Sequence, residues 1–83
     1  MYNEALKYYD ENYMPKYKQR QHLFFMQKNI TDKIICNKIS NEIFIIDNQL
    51  KSIEKHMILR YGFIIYNKIK KVKISTWQIY LFC

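Results

Sequence analysis

Seven apolar residues in the middle of the chain, Ile35, Ile39, Ile43, Ile46, Leu50, Ile53 and Met57, are separated by 4, 4, 3, 4, 3 and 4 positions. That spacing keeps them on one face of an α-helix for about six turns. It predicts a long helix over about residues 31–61, with Thr31 as N-cap and Gly62 just past the end. Such a helix reaches roughly 45 Å at about 1.5 Å per residue, longer than a chain of this size needs for a globule. A competing pattern sits inside it: residues 42–46 are rich enough in isoleucine to form a strand ended by a turn at Asp47 and Asn48.

Upstream, Tyr2, Leu6, Tyr9 and Tyr13 recur at gaps of four, three and four, which places them on one face of a short N-terminal helix with Asn3 available as a cap. Pro15 disfavours a helical conformation in the residue before it, so this helix is expected to stop at Met14. Residues 16–28 fit two patterns. Tyr17 and Phe24 share a helical face, whereas residues 23–26 also read as a short buried strand; the helix is preferred.

After Gly62 the pattern moves from the helical period towards alternation. Residues 63–66 form one candidate strand, Asn67 and Lys68 a tight turn, residues 69–74 a second strand and residues 76–82 a third, with Trp77, Ile79 and Leu81 on one face. The expected fold class is therefore α+β and mostly helical: a short N-terminal helix, one long central helix and a C-terminal β-hairpin or three short strands. A lone hairpin is weak in water and has to pack on the long helix or on another protein.

Length changes this picture. At 83 residues the chain has room for a single small domain, and a core of that size is marginal alone. A seam as long as the central one cannot easily be covered from within, so residues 1–83 are expected to be fully ordered only in a larger assembly. Hydrophobic residues make up 49% of the chain, which excludes simple disorder, and a single Gly and a single Pro favour long elements over many tight reversals.

The net charge is +7, unevenly placed. Residues 1–15 carry −2, residues 16–28 carry +4, residues 29–61 carry +1 and residues 62–83 carry +4. A nearly neutral apolar middle that can pack is thus flanked by segments that can grip an anion. Lys16, Lys18, Arg20 and Lys28 form the first basic group. Lys68, Lys70, Lys71 and Lys73, interleaved with Ile69, Val72 and Ile74, form the second and denser one; on a β-ribbon they would make a cationic surface for RNA phosphates, with Trp77 and Tyr80 close by. Trp77, in phase with Ile79 and Leu81, fits a core role better than a stacking one. Part of this lysine and isoleucine content matches the codon usage of an AT-rich genome, which discounts the raw charge.

No reaction is legible. The single glycine cannot make a phosphate-binding loop. Glu42 and Asp47 are five apart, a poor match to one helical face, and Cys36, Cys83, His22 and His56 lie at no metal-ligand or catalytic spacing. Cys36 reads as a small core residue and His56 as a surface residue. No catalytic residue, metal ligand or cofactor is expected, and no small-molecule substrate. Apolar runs such as residues 43–46 and 63–66 are four residues long, far below a membrane span, and residues 1–10 do not read as a secretory signal. A cytosolic address follows, or an organelle matrix if the protein is made there.

These features fit a structural RNA-binding component of a large ribonucleoprotein, most simply a small divergent ribosomal protein. It would hold rRNA with its two basic groups and dock on neighbouring proteins through Ile39, Ile43, Ile46, Leu50, Ile53 and Met57. Two alternatives stand beside it: a protein-only accessory subunit of a multi-protein complex, and a small DNA-binding regulatory protein, against which the long stripe counts.

Overall fold

The computed structural model describes the backbone of residues 1–82 and the side chains of residues 1–75. The described backbone is helical almost throughout and contains no strand. In chain order it comprises α1 (Tyr2–Tyr8), a π-helical segment (Tyr9–Tyr13), α2 (Met14–Lys28), α3 (Lys33–Tyr61) and α4 (Phe63–Phe82). The α+β expectation is overturned, and with it the C-terminal hairpin, its turn at Asn67 and Lys68, and the strands over residues 63–66, 69–74 and 76–82. The side chains of Trp77, Ile79, Tyr80 and Leu81, to which core and stacking roles were assigned, lie outside the described residues.

The correction in α4 has a physical reason. Tyr66 and Ile69 are both fully buried, three residues apart, and Lys73 follows one turn later with its ammonium 3.1 Å from Asp10. Ile65 and Ile74 flank this line and pack on the core. The helical period was present, but lysines between β-branched residues imitated alternation. Isoleucine and valine cost only a few tenths of a kcal/mol in a helix, which a buried seam offsets readily.

Pro15 does not stop the first helix. The chain passes through it without a break, and the adjustment falls one turn earlier, where the Met14 N–H donates to the Tyr9 carbonyl five residues back. A proline cannot donate to the carbonyl four residues before it and its ring crowds that carbonyl. A π turn widens the helix there, so α1, the π segment and α2 run on as one rod.

Residues 29–32 then reverse the chain. Asp32 caps α3, its carboxylate accepting from the Ile34 N–H at 2.8 Å and the Ile35 N–H at 3.4 Å; the expected cap, Thr31, lies one residue outside. α3 is uninterrupted, so the strand over residues 42–46 and the turn at Asp47 and Asn48 do not exist. Its buried residues are Ile39, Ile46, Leu50, Met57 and Tyr61, with Ile43 and Ile53 half-buried and Ile35 45% exposed at the start. Gly62 ends it at φ 96°, a conformation that L side chains rarely adopt, and α4 starts at the next residue.

Cross-links fix the arrangement. Lys16 donates to Gln49, Arg20 pairs with Asp47, and Gln27 donates to the Cys36 carbonyl and Ser40, so α2 lies antiparallel to the first half of α3. Glu4 pairs with Arg60, and the Tyr8 ring lies 5.1 Å from His56, which sets α1 beside the last turns of α3. Tyr66 meets Tyr9 at 6.3 Å, and Lys73 meets Asp10, which sets α4 alongside α1. One end is a three-helix bundle around Ala5, Tyr9, Met57, Tyr66 and Ile69; the other is a two-helix hairpin. The long dimension of 46 Å is close to the length of α3 itself.

Candidate nucleic-acid interface

The eight basic residues singled out from the sequence separate into occupied and unoccupied groups once folded. Lys16 and Arg20 face α3, bonded to Gln49 and Asp47. Lys73 is paired with Asp10, Lys70 lies 5.8 Å from the centre of the Tyr66 ring, and Lys28 sits over the Phe24 and Phe25 rings at 4.8 and 5.6 Å. Lys18, Lys68 and Lys71 are exposed and make no hydrogen bond, ion pair or ring contact among the described residues. The four lysines of α4 therefore do not form one ribbon. Lys68 and Lys71 occupy adjoining turns of its outer face, whereas Lys70 and Lys73 turn towards the bundle.

The acidic residues are mostly engaged within the chain. Glu4 pairs with Arg60 at 3.1 Å, Asp10 with Lys73, Glu11 with Lys7 at 4.0 Å and Asp47 with Arg20, while Asp32 caps α3. α2 contains no acidic residue at all. Internal pairing thus removes negative charge from the surface faster than positive charge, since cations outnumber acids two to one. What faces solvent is a helical scaffold with lysines in excess.

The six stripe residues assigned to partner docking are placed differently from one another. Ile39, Ile46, Leu50 and Met57 are buried in the chain, and Ile43 and Ile53 are half-buried. Large apolar residues that remain exposed include Phe44 and Ile45, Phe24, Phe25 and Met26, Ile34 and the first stripe residue Ile35 towards the hairpin turn, and Leu59, Phe63 and Ile64 around the α3–α4 junction. Apart from Ile35 they lie off the stripe, which is why none of them was expected at a docking face. Phe44 is out of phase with Ile39, Ile43 and Ile46, and an aromatic off the buried face of a helix is a readable signal.

Tyrosines link the core to the surface. Tyr9 stacks on Tyr13 at 4.4 Å and Tyr13 on Tyr17 at 6.2 Å, with 18° between the planes in both pairs. Burial raises the Tyr9, Tyr13 and Tyr66 phenols above the ordinary value of 10.0. Among the described residues the buried Tyr9 hydroxyl has no hydrogen-bond partner, whereas that of Tyr66 interacts with the Tyr13 side chain. The ladder ends at a cleft of about 280 Å³ between α2 and α3, whose rim includes Tyr13, Tyr17, Phe44, Asp47, Lys51 and Glu54. A second cleft of about 340 Å³ lies between Tyr8, His56, Arg60 and Tyr61.

No group of three His, Cys, Asp or Glu side chains is placed to hold a metal ion among the described residues. The Cys36 thiol is half-buried and donates to the Ile30 carbonyl at 3.2 Å, holding the hairpin turn. No helix, among the described residues, is long and apolar enough to cross a membrane. Comparison with known proteins returns no match, whether to a family model, a curated protein or a solved structure.

Proposed function

We propose that this protein is a structural RNA-binding component of a ribonucleoprotein, in the manner of a small divergent ribosomal protein, with rRNA as the partner that its size and charge suit. The observation that carries this reading is the asymmetry of internal pairing. Five of the seven acidic side chains are engaged within the chain, whereas Lys18, Lys68 and Lys71 project from α2 and α4 without partners among the described residues. Lysines held on rigid helices meet phosphates with little entropy left to lose, and each contact releases counterions. The exposed apolar residues supply contacts to neighbouring proteins of the particle.

Those same apolar residues favour a second reading, a protein-only subunit whose charge is incidental. Sedimentation of a native lysate separates the two. The ribonucleoprotein reading predicts that the chain migrates with a large particle and shifts to lighter fractions after ribonuclease treatment. A chain that stays in an unchanged, ribonuclease-resistant complex refutes it in favour of the protein-only subunit.

A further inference from the structure

The cleft at the end of the tyrosine ladder has features that a merely basic surface lacks. Its walls are aromatic: Tyr17 ends a stack anchored in the core, and Phe44 stands on α3 with 67% of its surface exposed. Its rim carries two carboxylates, Asp47 and Glu54, beside the exposed Lys51. Asp47 is held by Arg20, which fixes its position and leaves acceptor sites on its two oxygens. An exposed phenylalanine on a rigid helix, beside fixed acceptors, matches what a flat polar aromatic ligand requires.

We infer that this cleft binds an unpaired nucleobase bearing an exocyclic amine, stacked on Phe44 with the amine towards Asp47, one turn along α3, and the adjoining phosphate near Lys51. The inference rests on the RNA-binding proposal above and narrows it to a site. Stacking works with any base because each has a π-face. The Asp47 carboxylate adds selectivity, because it accepts from the amine of cytosine or adenine and repels the carbonyl that uracil presents there. The π segment belongs to the same construction: by carrying the helix through Pro15 it keeps Tyr13 and Tyr17 in register with α3.

The test uses short single-stranded cytidine and uridine oligomers, equal in charge and ring size, with affinity measured by fluorescence anisotropy at fixed salt. The wild type is expected to prefer cytidine by about tenfold, the order of a single hydrogen-bonded discrimination. Phe44→Ala is expected to weaken cytidine binding by about 5- to 100-fold and leave the melting temperature unchanged, because the ring is exposed. Phe44→Trp is expected to restore it. Equal affinity for the two oligomers, or a Phe44→Ala variant that binds cytidine as tightly as the wild type, overturns the site. If duplex RNA still binds with the usual salt dependence in that case, the cleft alone is wrong. If no RNA binds at all, the functional proposal fails and the cleft fails with it.

Discussion

The two ends of this molecule share α3 and differ in almost everything else. At the far end α1, the π segment and α4 close around Met57, and Tyr9, Tyr66 and Ile69 have at most 1% of their surface left to solvent. At the hairpin end, among the described residues, only α2 faces α3, and Phe24, Phe25, Met26, Ile34 and Ile35 are each 39% exposed or more. Hydrophobicity does not separate them. The number of helices does: two helices bury one face each, whereas three enclose a centre. The contacts follow suit, since the bundle is held by tyrosine packing and the hairpin by side-chain hydrogen bonds such as Gln27 to Cys36 and Lys16 to Gln49. Stability is therefore expected to reside at one end, leaving the other to adapt to a partner.

The strongest way to break this contrast is to truncate matched residues. Met57→Ala is expected to cost about 2–5 kcal/mol because the side chain is fully buried, whereas Ile35→Ala, at 45% exposure, should cost under about 1 kcal/mol. Urea denaturation of the two variants reads the difference directly, and equal losses would mean that the hairpin is as well packed as the bundle.

A gain is expected from Tyr9→Phe. The substitution keeps the ring and removes a fully buried hydroxyl that has no partner among the described residues, so it should stabilise the bundle by up to about 1–3 kcal/mol. Thermal melts would show this as a higher Tm, and a lower one would reveal a hydrogen bond that the bundle depends on.

At the junction Gly62→Ala should cost about 1–2 kcal/mol, all of it conformational, since a Cβ there meets nothing within 4 Å but φ is 96°. A neutral result in the same melts would place the backbone of Gly62 elsewhere.

Alkaline pH should sharpen the contrast further. Burial raises the Tyr9 and Tyr66 phenols above 10.0, so the unfolded chain loses these protons before the folded one does. Their contribution is fully present below pH 10.0 and is lost progressively as pH rises beyond it. Spectrophotometric titration should show exposed tyrosines ionising first and a final group ionising only as helicity collapses. A single transition with helicity intact would contradict the burial.

How much of this was legible beforehand differs between elements. The central helix was, because Ile39, Ile46, Leu50 and Met57 repeat at a period that no strand can use. α4 was not, because its buried line is short and passes through Lys73, whose ammonium is neutralised by Asp10 from a helix more than sixty residues earlier. Local pattern cannot contain that pairing. The same holds for the basic residues: Arg20 and Lys18 look equivalent in the sequence, yet one is bonded across to Asp47 and the other faces solvent. Pro15 misled for a third reason, since a π turn absorbs a proline without leaving any mark in composition.

The central claim, that unoccupied lysines grip RNA while occupied ones hold the fold, is tested most directly by the salt dependence of RNA affinity in purified variants. Replacing Lys18, Lys68 and Lys71 with Gln, one at a time, should each make the logarithmic salt slope shallower by about 0.7–0.9 without moving the Tm. Lys73→Gln, which removes the partner of Asp10, should lower the Tm and leave the slope unchanged. If the three exposed lysines can be replaced together with no change in affinity or slope, RNA is not what this surface binds.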